Sequence, residues 1–232
     1  MESHDSVGKG GHALVTGSNS GIGEAISRRL LHDGWQVTGL GRGKPKIEAA
    51  GFSSLMVDLC DPVALRKALE GLTVTALVHA AGFMRVGQLG QLDLPAGNDM
   101  WQVHVAAAAL MADILAPKMR DGGRIVLIGS RTAAGAAGRS QYAAVKSALV
   151  GMARSWAIEL AARGITVNVV APGATETPML LDPSRRGVPP RLPPIGRFIR
   201  PEEVAAAVAF LLSPDAAPIT GQQLVICGGA SL

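Results

Sequence analysis

The only tyrosine of the chain, Tyr142, stands four residues before Lys146. Side chains at positions i and i+4 lie on one face of a helix, so the phenol and the ammonium are expected to be neighbours. A nearby positive charge favours the phenolate and lowers the pKa of a phenol, which starts near ~10. The pair therefore suggests a group that exchanges a proton with an oxygen atom. Alone, the spacing is weak evidence, because such pairs occur on any exposed helix.

A glycine-rich turn follows Thr16 near the start of the chain. It consists of Gly17, Ser18, Asn19, Ser20, Gly21, Ile22 and Gly23. An apolar segment precedes the turn and a helical pattern follows it, which is the setting in which such turns bind a dinucleotide pyrophosphate. Gly17 can take the tight turn, whereas Gly21 and Gly23 allow the backbone to approach a phosphate and the helix to approach the strand. A purely structural turn explains the motif equally well on its own.

Ser130 supplies a third polar group, 12 residues before Tyr142 and at the end of a predicted strand. Ligands of open parallel sheets bind beyond the carboxyl ends of the strands. The hydroxyl is therefore expected where the helix that carries Tyr142 begins. The phenol, the ammonium, the hydroxyl and the glycine turn together suggest an enzyme that moves a hydride and a proton between a carbonyl and an alcohol.

Short β-type segments alternate with longer helical patterns, which predicts βαβ units and a parallel sheet. The predicted strands cover residues 12–16, 36–40, 53–57, 74–79, 124–128, 165–170 and 223–226. The predicted helices cover residues 22–31, 62–69, 101–119, 141–162 and 201–212. We expect a single doubly wound (Rossmann-type) α/β domain over residues 12–232, with a mostly or fully parallel seven-stranded sheet, after a flexible tail over residues 1–11.

The ordered set of motifs resembles the short-chain dehydrogenase/reductase family nearly end to end, and among its members the 3-oxoacyl-carrier-protein reductase type. Ser130, Tyr142 and Lys146 resemble the catalytic set of that family, and residues 17–23 resemble its cofactor turn. The resemblance implies further cofactor-binding residues, namely Asp58 and Leu59 at the adenine ring, Ala80, Ala81 and Gly82 after the fourth strand, and Pro172, Gly173, Thr175 and Thr177 at the nicotinamide. It also implies a homo-oligomer, a tetramer or a dimer.

Two positions depart from the pattern of the family. His79 stands where the family usually has an asparagine that supports the centre of the sheet, and we interpret it as a buried structural histidine. His104 stands at the position of the fourth catalytic residue, usually an asparagine that helps to hold a water molecule near the lysine. The imidazole of His104 could hold that water, relay protons itself, or mark altered activity.

The end of the second strand bears on the choice of cofactor. An NAD enzyme usually has an acid there, whereas an NADP enzyme has a cation for the 2′-phosphate. Here Gly41 occupies the position of the acid and Arg42 follows it, with Lys44 nearby. We therefore expect NADP, with NAD as the alternative. The segment over residues 42–58 is short for the family, so we expect one helix to be trimmed there. This should expose the end of the site that binds the adenine of the cofactor.

Composition limits the remaining function classes. Apolar residues make up 48% of the chain and charged residues 17%, which excludes a disordered protein. The net charge of +4 comes with no basic run of the kind that nucleic-acid binding requires, and no apolar segment looks long enough to span a membrane. We expect a cytoplasmic enzyme with two buried free thiols, Cys60 and Cys227.

Residues 178–194 are rich in proline and arginine and show no periodicity, which predicts a substrate loop inside the domain. Its arginines, Arg185, Arg186 and Arg191, suggest a small carbonyl or alcohol substrate that carries an anionic group. A solvated loop is the alternative. At the level of function, the alternatives are an NAD-dependent alcohol or cyclic dihydrodiol dehydrogenase and a catalytically weakened nucleotide-binding regulatory protein.

Overall fold

A computed structural model describes residues 11–183 and 189–232. Seven parallel strands form one sheet in the order β3-β2-β1-β4-β5-β6-β7. The strands are β1 His12–Thr16, β2 Gln36–Gly41, β3 Phe52–Met56, β4 Ala76–His79, β5 Arg124–Ile128, β6 Thr166–Pro172 and β7 Gln223–Ile226. The strand order reverses direction between β1 and β4, which is where doubly wound folds bind their ligands. The predicted fold class is confirmed.

The helices cover both faces of the sheet. They are α1 Gly21–His32, α2 Pro62–Ala68, α3 Leu94–Trp101, α4 Ala107–Leu115, α5 Ser140–Leu160 and α6 Pro201–Leu212. One apolar core lies beneath α1 and α6, where Ile26, Leu30 and Val208 are fully or almost fully buried. The other core lies beneath α2, α4 and α5 and contains Leu65 and Met111. Burial of large aliphatic side chains contributes about 1.5–3 kcal/mol each, so the two cores fix the strand ends at which a site can form.

The predicted helix over residues 101–119 begins earlier and is less regular than expected. It starts at Leu94, because the side chain of Asp93 accepts a hydrogen bond from the backbone N–H of Ala96 and Pro95 fits the first helical turn. The π-helical turn Gln102–Ala106 then separates α3 from α4. Such turns interrupt α-helices chiefly at functional sites, and His104 lies in this one.

The continuous helical stretch Leu94–Lys118 is the one stretch among the described residues that is long and apolar enough to cross a membrane. Half of its most apolar window is buried inside the fold, as in the core helix of a globular domain. Its apolar face packs on the sheet together with α2 and α5. The length of this helix is therefore explained by the core.

The segment between β2 and β3 contains no helix, as the short spacing predicts. Ile47 is buried in this segment, and Arg28 of α1 donates a hydrogen bond to the neighbouring carbonyl of Lys46, while Arg42 at the start of the segment is exposed. The prediction for the thiols was half wrong, since Cys227 is buried but Cys60 is exposed. Leu59 takes the core position instead, and Cys60 lies in the turn before α2. The apolar run before Cys60 ends one residue earlier than we expected.

Candidate active site

A cavity of about 750 Å³ opens at the carboxyl ends of the central strands. It brings together most of the residues that the sequence predicted for cofactor and catalysis. The predicted residues that line it are Gly17, Ser20, Gly21, Ile22, Gly23, Ala80, Ala81, Gly82, Ser130, Tyr142, Pro172, Gly173, Thr175 and Thr177. The glycine turn and the pair Ser130 and Tyr142 thus face one space, as the topology of the sheet requires.

The glycine turn can be built only from glycine at two positions. Gly17 has φ +69°, and a β-carbon there would lie 2.9 Å from the α-carbon of Ala81. A β-carbon at Gly23 would lie 2.3 Å from the carbonyl oxygen of Gly17. The close packing leaves the amino end of α1 open toward the cavity, where backbone N–H groups and the helix dipole favour an anion. The turn therefore fits a pyrophosphate group.

Thr16 organises the segment that follows β4. Its Oγ1 accepts hydrogen bonds from the backbone N–H groups of Ala80, at 3.0 Å, and Ala81, at 2.9 Å. The same oxygen lies 2.9 Å from Nδ1 of His79, to which it can donate its proton. One buried hydroxyl thus joins β1 to residues 79–81 and fixes one wall of the cavity.

His79 is a buried structural residue, as we expected from its position. Burial, and secondarily the charge of Lys146, lower the pKa of His79 to about 3, so its ring is neutral. With Nδ1 accepting from Thr16, the proton lies on Nε2, which has no hydrogen-bond partner among the described residues. The backbone carbonyls of Val103 and His104, both in the π-helical turn, partly counter the lowering of the His79 pKa. His79 therefore connects β1 to that turn.

Tyr142 and Lys146 both lie on the buried face of α5. The Nζ atom of Lys146 donates a hydrogen bond to the carbonyl oxygen of Ile128 at 2.6 Å and lies 5.7 Å from the centroid of the Tyr142 ring. Burial lowers the pKa of Lys146 to about 7. The lysine is thus anchored to the end of β5, behind the tyrosine that faces the cavity.

The hydroxyl of Ser130, two residues after β5, is held in place by the turn that follows it. Its Oγ accepts a hydrogen bond from the backbone N–H of Thr132 at 3.1 Å, and the 3₁₀ turn Arg131–Ala134 begins there. This hydrogen bond uses a lone pair of the hydroxyl and not its proton. The proton therefore remains available for donation to an oxygen atom in the cavity. Ser130 and Tyr142 are therefore two hydroxyl groups that can address the same oxygen.

His104 is completely buried beneath the cavity floor and does not line it. Its Nε2 lies 2.8 Å from the carbonyl oxygen of Phe83 and 3.2 Å from the backbone nitrogen of the same residue, and the shorter contact assigns the proton to Nε2, which donates to the carbonyl. The ring packs edge-on against Tyr142 at a centroid distance of 5.8 Å. Burial, and then the charge of Lys146, hold the pKa of His104 well below its ordinary value. Nδ1 is buried without a hydrogen-bond partner among the described residues. It is therefore the ring atom whose hydrogen bond an internal water molecule would complete.

The segment after β6 forms another wall of the cavity. Thr175 donates a hydrogen bond from Oγ1 to the carbonyl oxygen of Gly173, and its backbone bridges to Ile199. Thr177 touches the turn itself, since a β-carbon on Gly21 would lie 3.1 Å from its methyl group. The segment is therefore held beside the amino end of α1.

The residues predicted for the adenine ring, together with Ser18 and Asn19 of the glycine turn, do not line this cavity. Ser18 packs on Gly39 of β2, and the side chain of Asn19 donates a hydrogen bond to the carbonyl of Gly43. Asp58 accepts a hydrogen bond from the backbone N–H of Cys60. Ser18 is buried and Asn19 is half-buried, whereas Arg42 and Asp58 are exposed near the ends of β2 and β3. The loop arginines Arg185 and Arg186 lie outside the described residues, whereas Arg191 lines the cavity.

The sequence did not reveal the backbone partners of the site. The carbonyls of Ile128 and Phe83 hold Lys146 and His104, and no side-chain pattern identifies a carbonyl. The role of Thr16 could have been found, because it is a polar residue that follows three apolar residues of β1 and directly precedes the glycine turn. The structure therefore adds to the predicted residues a layer of supporting contacts.

A family model described as enoyl-(acyl carrier protein) reductase matches residues 17–231. The chain is 38% identical over 234 residues to the 3-oxoacyl-(acyl-carrier-protein) reductase FabG of Salmonella typhimurium, covering 94% of this chain and 96% of that protein. The matched region contains the glycine turn, the cavity and the C-terminal strand.

Two solved structures are similar over nearly the whole chain. A blue fluorescent protein from a metagenomic library, in complex with NADPH, has a TM-score of 0.84 and 34% identity, with 97% of this chain and 99% of that chain covered. BdcA in complex with NADPH has a TM-score of 0.84 and 32% identity, with 97% of each chain covered. Both similarities extend to sequence as well as fold.

Proposed function

The chain belongs to the short-chain dehydrogenase/reductase family of NAD(P)-dependent oxidoreductases, which act on CH–OH and C=O groups, and we propose that it uses NADP(H) to interconvert a ketone or aldehyde and an alcohol. The observation that carries the proposal is that the hydroxyl groups of Ser130 and Tyr142 line the same cavity as the glycine turn. A carbonyl oxygen placed between these hydroxyls would meet two hydrogen-bond donors.

In the proposed mechanism, residues 17–23 hold the pyrophosphate of the cofactor and Thr175 and Thr177 hold its nicotinamide end. When bound, the reduced nicotinamide supplies the hydride. Ser130 donates a hydrogen bond to the carbonyl oxygen as negative charge develops on it, and Tyr142 transfers its proton to that oxygen. The ammonium group of Lys146 stabilises the phenolate that remains, because opposite charges attract strongly in a buried environment.

His104 acts in this proposal through its neighbours. Its Nε2–H bond to the carbonyl of Phe83 and its edge-on contact with Tyr142 keep the cavity floor and the phenol in place. Because the low pKa keeps the ring neutral, we favour an imidazole that holds a water at Nδ1 over one that shuttles protons.

NADP rather than NAD is supported by the exposed adenine end. Gly41 supplies no acid to bind ribose hydroxyls, and the guanidinium of Arg42 makes no hydrogen bond or ion pair with any residue that the structure describes. A guanidinium can bind the 2′-phosphate with two hydrogen bonds. Two similar proteins, moreover, have been solved with NADPH.

We further propose a cytoplasmic homo-oligomer, a tetramer or a dimer. Apolar side chains that are largely exposed on the single chain support assembly, among them Ile158 on α5 and Val225 on β7. Light scattering coupled to gel filtration gives the mass directly, and a monomer at micromolar concentration would contradict this part of the proposal.

The test of the function is consumption of NADPH, followed at 340 nm, with a panel of ketones and aldehydes. Tyr142→Phe removes the proton donor and keeps the ring, so kcat should fall by at least ~100-fold while the affinity for NADPH changes little. Faster turnover with NADH would favour the NAD-dependent alternative. NADPH binding without turnover of any carbonyl would favour the regulatory protein.

A further inference from the structure

The described lining of the cavity carries an excess of positive charge. Among the described residues that line it, three are arginines, Arg131, Arg139 and Arg191, and only one, Asp182, is acidic. The carboxylate of Asp182 lies 3.6 Å from Nη1 of Arg85, which does not line the cavity. Because Arg85 offsets the charge of Asp182, the described lining carries more positive than negative charge.

Arg131 is held directly beside Ser130. The 3₁₀ turn that begins with Arg131 is closed by hydrogen bonds from Thr132 to the hydroxyl of Ser130 and from Ala133 to its carbonyl. The side chain of Arg131 is half-buried and makes no hydrogen bond or ion pair with any other residue in the described part of the chain. A partly desolvated guanidinium without an anionic partner is unfavourable, and a bound anion would relieve that cost.

Arg139 also lines the cavity and stands directly before α5, three residues before Tyr142. Its backbone is fixed, because Gly87 forms a parallel bridge with Arg139 and donates a hydrogen bond to the carbonyl of Gly138 at 2.9 Å. The Nε atom of its half-buried side chain is inaccessible to solvent. Two arginines on fixed backbone therefore flank, in sequence, the two residues that would contact the carbonyl.

These arginines are set apart from the place predicted for the cofactor pyrophosphate. The glycine turn follows β1, whereas Arg131 and Arg139 follow β5, and β4 lies between these two strands. Two strand spacings correspond to about 10 Å. An anion beside Arg131 would therefore belong to the molecule that reacts at Ser130 and Tyr142.

The lining also contains the apolar side chains of Met84, Met179, Leu180 and Leu192, and Met84 and Met179 pack in the apolar cluster that includes Tyr142. Building on the function proposed above, we propose that the substrate is an oxo compound with an anionic group, a carboxylate or a phosphate-type group, on an apolar carbon chain, and that Arg131 and Arg139 bind that group. Arginine forms paired, charge-assisted hydrogen bonds with either kind of anion. Arg191, the third arginine in the described lining, adds to the positive field.

Matched pairs of carbonyl compounds test the inference with the wild-type enzyme and NADPH. The pairs are acetoacetate and its ethyl ester, 4-oxopentanoate and its methyl ester, and 2-oxopropylphosphonate and its dimethyl ester. In at least one pair, kcat/KM should be at least about tenfold higher for the anion than for the ester. The carboxylate and phosphonate pairs distinguish the two anions. Added NaCl should lower kcat/KM for the preferred anion and not for its ester.

The variants Arg131→Gln and Arg139→Gln should each lower the anion-to-ester ratio of kcat/KM by about tenfold. Arg120→Gln is the matched control, since Arg120 is exposed in the loop before β5, at the opposite edge of the sheet, and should keep the wild-type ratio. The dissociation constant of NADPH, measured by fluorescence for every variant, also reports a correctly folded site. Should a glutamine variant not fold, the wild-type ratios and their salt dependence still decide.

The outcomes separate this inference from the proposed function. Equal turnover of anions and esters would overturn the inference and leave carbonyl reduction intact. Weaker NADPH binding by Arg131→Gln and Arg139→Gln with an unchanged ratio would also overturn it, by assigning these arginines to the cofactor. No reduction of any anion or ester with NADPH would overturn the proposed function and the inference together.

Discussion

The imidazole of His104 lies directly over the α-carbon of Gly82, so closely that a β-carbon at position 82 would be 2.0 Å from Cε1 of the ring. The histidine and the glycine therefore depend on each other. The glycine gives the ring room to donate to the carbonyl of Phe83, and the ring fills the space above the glycine. Through this contact the segment after β4 is joined to the π-helical turn and to Tyr142.

Gly82→Ala should destabilise the protein and lower kcat, because the new methyl group forces the ring of His104 away from Phe83 and Tyr142. Overpacking of this kind costs about 1–3 kcal/mol. In a His104→Ala background the same substitution should cost much less, since the obstructing ring is gone. Urea unfolding of the four proteins in this double-mutant cycle measures the difference. Additive costs would show that the methyl group clashes with something else.

His104→Asn should keep kcat within about tenfold of the wild-type value, because an amide can also donate to the carbonyl of Phe83 and hold a water molecule. Since burial and the charge of Lys146 depress the pKa of His104, neither protein should show a step from this residue between pH 5.5 and 8.5. The measurement is kcat against pH. A wild-type step near ~6.5 that is absent from the variant would indicate a proton shuttle. A rise in activity of tenfold or more in the variant would indicate that the position has decayed.

The fold was predictable because the apolar segments and the residues that bound them indicate the same strands and helices. Every predicted strand lies within two residues of the observed one, since apolar segments such as residues 124–128 are bounded by glycines that end them clearly. The start of α3 was missed because Pro95 and Gly97 resemble loop residues, whereas Asp93 caps a helix there. The π-helical turn was also missed, since it depends on the tertiary packing around His104 and not on local helix propensity.

The residue types of the site were predictable, but their supports were not. Tyr142 and Lys146 follow from spacing on one helix, and Ser130 follows from its place at a strand end. The hydrogen bond from Lys146 to Ile128 and the packing of His104 on Gly82 join elements that are distant in sequence. Only the completed sheet brings them together, so no local pattern predicts them.

Lys146→Met should change how stability depends on pH in the cofactor-free protein. Burial lowers the pKa of Lys146 to about 7 in the folded state, whereas an unfolded lysine titrates near ~10.4. The unfolded chain therefore binds more protons between these values, so the wild type loses stability as the pH falls from ~10.4 to about 7 and no further below that. Lys146→Met should lack this loss, which is at most about 1.4 kcal/mol per pH unit.

Urea unfolding at pH 7, 8, 9 and 10 measures this effect for Lys146. Lys118→Met serves as the control, because Lys118 is exposed and should show the wild-type dependence. A difference between wild type and Lys146→Met that stays constant over this range would mean that the lysine keeps an ordinary pKa.

Arg42→Ala should weaken the binding of NADPH and leave the binding of NADH nearly unchanged, because only NADPH carries a 2′-phosphate. Arg42 is exposed at the end of β2, next to the turn in which Asn19 donates to Gly43, so its guanidinium can reach a ligand at the adenine end. A bidentate contact with phosphate should contribute ~1–3 kcal/mol, or about 5- to 150-fold in the dissociation constant. Fluorescence titration with both cofactors measures this, with Arg120→Ala as the control. Equal losses for NADPH and NADH would remove Arg42 from phosphate recognition, and a native preference for NADH would contradict the choice of NADP itself.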